Sequence, residues 1–336
     1  MASLQDIWAR LDGTAAAVGL RPVYPRVALD LEQRVISLVR CKSRRGRKPL
    51  LEAHVQLSLD APVLPDSIFQ PAAKKTPDLV ERLRDLFESS GTRPGRISVV
   101  LPDNLAKISI LQLPERPAGQ RELDELVRSK MRRAVPFRLD DVNISYQLVP
   151  GEGGAVGVLV VLVHRSLVER LESAFVAIGA RPGLIDLATP NLLNLVRGQV
   201  DRLGTEAGDV ALLNCAERYF SLVITRDGQV IFYRCKTFAA AADGTPGPNG
   251  SLSRELAHSF AYYHEKLGGE GLGAILLRST SLPNGQVSDQ LSGLQCDRII
   301  PIELGDTVEL AEGVTLDHDA AQRLAPAIGA AVARTG

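Results

Sequence analysis

The chain has 336 residues, 45% hydrophobic and 23% charged, a globular composition long enough for two lobes rather than one core. Lysine plus arginine and aspartate plus glutamate both total 39, so no net charge steers the molecule toward nucleic acid or an acidic substrate. The four cysteines form no CxxC pair, which argues against zinc, and no apolar run approaches the roughly 20 residues that span a bilayer.

The opening, MASLQDIWAR, carries Asp6 and no apolar signal core, so a cytoplasmic chain is expected. Residues 1–25 read as an N-terminal helix or extension, with Leu4, Ile7, Trp8 and Leu11 at helical spacing. Strands follow: VALDL and RVISLVR around a polar turn, then EAHVQLSL. The basic run CKSRRGRKP before the third of these reads as a solvated hairpin loop, with an anionic membrane surface as the alternative. A helix is expected over 78–90, with Thr76 as N-cap, Pro77 in its first turn and Gly91 as its left-handed end.

ISVVLPDNLAKISILQLP reads as two strands about a Pro-Asp-Asn turn, followed by a helix over 121–134. Residues 141–149 and 157–164 read as strands, and Ser166 with Glu169 has the spacing of a capping box. A helix is expected over 191–200. Three more strands then repeat the first meander, with a tight turn at Asp227-Gly228. DGTPGPNG, 243–250, reads as a flexible loop. A helix over 252–267, a strand over 274–277 and a helix over 326–334 complete the chain. The expected division is an extension (1–25), a first lobe (26–96), an inserted α+β unit (97–185), a closing helix of the first lobe (186–204) and a second lobe (205–336) with a helical part near 251–270. The repeated meander makes this a duplicated α/β architecture.

Residues 98–190 carry a more specific signal. Leu101-Pro102, Leu113-Pro114, Pro136-Phe137 followed by Asp140-Asp141, Tyr146-Gln147 and the segment Gly179 to Leu187 resemble the PilM family of type IV pilus assembly proteins. SLSRELAHSFAYYHEKLG and RLAPAIGAAVAR are similar to that family's second-lobe helix and C-terminal helix. The resemblance implies an actin-like (ribonuclease H-like) two-lobe fold with an inserted subdomain of the kind found in the division protein FtsA. It also implies kinship with the cytoplasmic part of the secretion protein GspL. The implied role is a cytoplasmic scaffold, peripheral to the inner membrane, that holds the cytoplasmic tail of a PilN-like membrane protein and connects it to pilus motor components.

An actin-like nucleotide site needs glycines where phosphates meet backbone N–H groups, and an acid to organise a metal ion. Here the first phosphate turn is Asp30-Leu31-Glu32-Gln33, and the second is Asn214-Cys215-Ala216-Glu217. Leu277 is followed by Arg278-Ser279-Thr280 in place of a glycine pair. Asp30, Glu32, Asn214, Glu217 and Arg278 therefore mark degenerate nucleotide loops. No cofactor and no catalytic activity are expected, with ATP/Mg binding by an active actin-like ATPase as the alternative. No HExxH, GxSxG or Walker loop occurs, and the five histidines are scattered. The expected tail site is the turn Leu101, Asn104 and Leu105 together with the corner Pro136 and Phe137, because apolar side chains at loop positions suit an extended peptide.

Overall fold

The computed structural model describes residues 24–70, 79–115, 117–150, 156–238, 251–291 and 293–333. The expected N-terminal helix, the Thr76-Pro77 cap and the 243–250 loop lie outside them. Strands β1 (Val27–Leu31), β2 (Val35–Lys42) and β3 (Leu50–Ser58) form an antiparallel meander. Helix α1 (Leu79–Ser89) buries Leu79, Leu83, Leu86 and Phe87, a stripe at three- and four-residue spacing, and Gly91 closes it at φ 59°. Strand β4 (Arg96–Leu101) lies parallel to β1.

An inserted unit follows: β5 (Ala106–Leu113), α2 (Gln120–Ala134), β6 (Val142–Pro150), β7 (Val156–His164) and α3 (Arg165–Ala177). Strand β8 (Arg181–Leu187) then returns beside β4 and leads into α4 (Ala188–Leu195) and α5 (Arg197–Ala207). The second meander is β9 (Val210–Cys215), β10 (Tyr219–Arg226) and β11 (Gln229–Thr237). Its hairpin turns on Asp227 (φ 51°) and Gly228 (φ 72°). Helix α6 (Ser251–Leu267), β12 (Ala274–Ser279), α7 (Asn284–Leu291), β13 (Ile299–Pro301), β14 (Glu309–Leu310) and α8 (His318–Val332) complete the described order.

The six-stranded sheet runs β14-β3-β2-β1-β4-β8 and the five-stranded sheet β11-β10-β9-β12-β13. Apart from β14, the two have one topology: an antiparallel meander whose first strand continues into two parallel strands. The expected unit 97–185 thus gives both its ends, β4 and β8, to the first sheet. The two strands pair in parallel, Ser98 with Leu184, and β4 is a buried apolar run. Among the described residues the three-stranded sheet β5-β7-β6 is separate and α2 packs on it, while Leu167, Leu171 and Phe175 of α3 join the core of the first sheet.

Three further expectations are corrected. The helix expected over 191–200 is two helices that meet at Val196 (ψ 11°). No capping box forms, because α3 starts at Arg165 with His164 as its cap residue and no side-chain cap bond. The C-terminal helix starts at His318, capped by the Asp317 side chain, which accepts from Ala320 N at 2.7 Å. Pro326 therefore lies inside that helix and not at its first turn.

One apolar cluster runs from Leu29, Leu38 and Val99 of the first sheet to Leu212, Val223 and Leu276 of the second. Leu192 of α4 and Ile328 of α8 belong to the same cluster. The two helices cross at backbone contact, since a Cβ on Gly329 would lie 2.0 Å from the Asn191 carbonyl oxygen. Separate clusters pack α6 and α7 on the second sheet and α2 on the inserted sheet.

Candidate functional site

The first turns of the two meanders are built alike. Glu32 N donates to Val35 O at 2.9 Å, and Ala216 N donates to Tyr219 O at 2.9 Å. Arg278, near the end of β12, joins them. It stands beside Asn214 in the parallel ladder and is fully buried. Its Nη1 donates to Asn214 Oδ1 at 2.9 Å, its Nη2 to Glu32 Oε1 at 3.3 Å and its Nε to the Gln322 carbonyl at 2.9 Å. That carbonyl is free for a sequence reason: Pro326, four residues on, has no N–H to give it. The Gln322 side chain donates to Ile302 O at 2.8 Å and accepts from Ser279 N at 3.3 Å, holding α8 against the end of β12.

Behind the arginine lies a second polar layer. Asn214 Nδ2 donates to Thr189 Oγ1 at 2.9 Å, and the Thr189 hydroxyl donates to Asp103 Oδ2. Thr189 N donates to Asp103 Oδ1 at 3.1 Å, and Ser221 Oγ donates to Asp103 Oδ2 at 2.6 Å. Asp186 accepts from Leu187 N at 2.7 Å and from Asn191 Nδ2 at 2.6 Å. Burial raises the pKa of Asp103 although Ser221 and Thr189 oppose it, and it lifts Asp186 to about 7. Asp30 is raised well above the usual carboxylate range, first by burial and then by Glu32, against the pull of Arg278. A proton on Asp30 leaves Arg278 and Glu32 as one balanced pair, which a buried guanidinium requires. Among the described residues, Asp30 Oδ1 and Glu32 Oε2 meet no hydrogen-bond donor.

The expected degenerate loops are thus brought together, except for Glu217. It lines a cavity of about 630 Å³ at the cleft mouth with Arg34, Gln56, Thr280, Ser281 and Arg323. Among the described residues no cluster of His, Cys, Asp or Glu is placed to hold a metal ion. Burial pushes the Cys215 thiol up to about 12, so it is no nucleophile. A further bridge lies outside the arginine: Gln33 Nε2 donates to Asp66 Oδ1 at 2.9 Å, and Arg218 of the second turn pairs with Asp66 at 3.0 Å.

The expected tail site divides. Leu101 and Leu105 are 1% exposed and Asn104 is 6% exposed, so none of the three can meet a peptide in the folded chain. Leu101 ends β4, and the 3-10 turn Asp103–Leu105 is packed under the Asp66–Phe69 segment: Asn104 Nδ2 donates to Asp66 O at 2.6 Å, and the Asn104 main-chain carbonyl accepts from Ile68 N at 2.9 Å. Pro136 is exposed and Phe137 half-buried. Phe137 packs at a tilt against His164 (5.1 Å between centroids) and against Phe69 (6.2 Å), which is 60% exposed. His164 Nε2 meets Ile68 O at 2.7 Å, which fixes the ring. In the basic loop after β2, Arg44 pairs with Glu309 at 2.6 Å and Lys48 donates to Gly305 O at 2.7 Å.

Sequence reasoning missed Asp103, Asp186, Thr189, Ser221 and Gln322. The one available signal was Pro326, which frees the carbonyl four residues before it. Phe69 carried no signal beyond a lone aromatic in a loop.

The family model for type IV pilus assembly protein PilM matches residues 28–242. A search among curated proteins gives no match. The solved structure of a PilM-PilN type IV pilus biogenesis complex has this fold, with a TM-score of 0.72 at 18% identity over 92% of this chain and 97% of that chain. A Bacteroides thetaiotaomicron VPI-5482 protein with an actin-like ATPase fold and unknown function is 11% identical over 86% of this chain and 93% of that chain, at TM-score 0.47. The cytoplasmic domain of EpsL, an inner-membrane component of the type II secretion system of Vibrio cholerae, is 14% identical over 87% of each chain, at TM-score 0.46. The duplicated sheet order is that of the actin-like fold, and the matched segment exceeds half of the sequence. The chain belongs to the PilM family of type IV pilus assembly proteins.

Proposed function

We propose that the chain is a nucleotide-free adaptor that binds the cytoplasmic tail of a PilN-like inner-membrane protein and links it to the pilus motor. The observation that carries this reading is Arg278. In an actin-like cleft the two meander turns receive phosphates through glycine backbone and a metal ion. Here the space between the turns holds a buried guanidinium already bonded to Glu32, Asn214 and Gln322. A triphosphate would have to break those bonds and meet Glu32. A fold whose cleft is filled acts through its surfaces. The aromatic cluster that Phe69, in the segment after β3, forms with Phe137 and His164 of the inserted unit is the surface suited to an extended tail, which must bury apolar area to offset its ordering entropy.

Two measurements test this. In a fluorescence titration with the partner's tail peptide, Phe69→Ala and Phe137→Ala should each weaken binding by about 1–3 kcal/mol, the range of interface anchors. Normal binding by both, with loss in Glu217→Ala or Arg323→Ala, would move the tail to the cleft mouth. In a thermal melt, a site with a dissociation constant of about 10 µM would add about 2.7 kcal/mol at 1 mM MgATP, or about 4 °C for a chain of this size. No rise and no hydrolysis are expected.

A further inference from the structure

We infer that the interlobe cleft has been rebuilt as a receptor for a cation of the guanidinium class, and that Arg278 is its tethered ligand, clamping the two lobes without nucleotide. The inference rests on the nucleotide-free reading above and adds what replaces the nucleotide. Three acceptors from three places converge on one planar group: a carboxylate from the first meander turn, a side-chain amide from β9 and a main-chain carbonyl from α8. Each is aimed by its own neighbourhood. Glu32 sits on the closed β1–β2 turn. Asn214 gives its amide nitrogen to Thr189, which turns its oxygen toward the arginine. Gln322 is pinned at both ends of its side chain, and Pro326 keeps its carbonyl out of the helix ladder.

This is the donor-accepting geometry of a guanidinium fork. It is opposite in polarity to a phosphate cradle, which presents donors. The anion-binding cleft has become a cation-binding one, and the cation is supplied in cis. The clamp is strong because it is dry: Arg278 is 0% exposed, so its loss leaves Glu32 and the amide oxygen of Asn214 facing a hole.

The test is a cavity rescue on the full chain. Arg278→Ala should lower the melting temperature by about 4–7 °C, the expectation for removing one partner of a buried pair in a chain this long. Hydrogen exchange should rise roughly tenfold or more in the peptides covering both meander turns, 30–36 and 214–220, because the lobes part there. Guanidinium chloride at about 10 mM should restore roughly half of the lost melting temperature in this variant and leave the wild type unchanged. Sodium chloride and urea at the same concentration should restore nothing, and Arg278→Met, with its hole filled, should not respond. If Arg278→Ala is insoluble, Glu32→Gln decides: a lowered melting temperature with faster exchange in both turns supports the clamp. A melt within a degree of wild type for either variant, or a rescue that sodium chloride reproduces, overturns it. The nucleotide-free reading fails on the MgATP melt and the clamp fails on the rescue, so the two failures are separable.

Discussion

Asp186 links burial to pH. Its two oxygens accept from Leu187 N and Asn191 Nδ2, yet burial still lifts its pKa to about 7. The unfolded carboxyl titrates near 3.9, so between about pH 4 and 7 the folded chain holds a proton that the unfolded chain has released. Stability from this group is full below pH 4 and is lost as the pH rises toward 7. Asp30 and Asp103 are raised in the same direction and add to the slope. Asp186→Asn has no proton to hold. Its unfolding free energy, measured by urea titration at pH 5, 6 and 7, should fall less steeply than wild type, by up to about 1.4 kcal/mol per pH unit. Parallel slopes for the two proteins would remove Asp186 from the linkage. The residue scale is where the sequence spoke least. Asp103 read as a plain turn residue because its partners, Thr189 and Ser221, lie 86 and 118 positions away.

At the scale of elements, α8 and β12 are joined through Pro326 and Arg278. An interior proline normally costs a helix about 3 kcal/mol, partly through the unpaired carbonyl four residues back. Here Arg278 Nε takes that carbonyl, so part of the cost is returned. Pro326→Ala should therefore stabilise the wild type little, because the new N–H competes with the arginine. In an Arg278→Ala background the same change should stabilise more, with a coupling of about 0.5–3 kcal/mol in a double-mutant cycle from denaturant melts. Additive effects would mean that the proline and the arginine are unrelated. Elements with a clean period were legible in the sequence: both meanders, the Asp227-Gly228 turn, and helices α1 and α6. Strands β13 and β14 and helix α7 were not, at 3, 2 and 8 residues, since segments so short carry no period. The start of α8 was misplaced at Pro326, which lies inside the helix because the carbonyl it leaves unpaired bonds Arg278. Leu101, Asn104 and Leu105 were misplaced for a related reason. Loop residues are ordinarily at the surface, but this turn is roofed by the Asp66–Phe69 segment. The lost glycine at Glu32 and the lost acid at Asn214 were readable, and Arg278 could be named. Its convergence on three acceptors, the farthest 246 positions from it, could not.

On the scale of the whole molecule, the proposed adaptor role requires that a partner, and not the chain itself, provides the membrane contact. No helix among the described residues is long and apolar enough to cross one, and the charges balance at 39 each. The basic loop is the obvious electrostatic contact, with Lys42, Arg44, Arg45, Arg47 and Lys48. Glu309 meets Arg44 at 2.6 Å, and its carboxyl is held below the usual range by the Arg44 bond, with Arg47 and Lys48 adding to the pull. One carboxylate balances one of the five cations, so a net charge of four remains on the loop. A cation near an anionic surface contributes about 1 kcal/mol, so four give about 4 kcal/mol, a millimolar affinity and far short of stable attachment. The full chain should therefore stay unbound in flotation with phosphatidylserine vesicles at physiological salt. It should float when the vesicles carry the full-length PilN-like partner. Glu309→Gln, which unmasks Arg44 and Arg47, should raise binding to bare anionic vesicles severalfold and leave recruitment by the partner unchanged. Flotation of the wild type on bare vesicles would place a membrane contact in the chain itself, and the partner would no longer be needed to explain attachment.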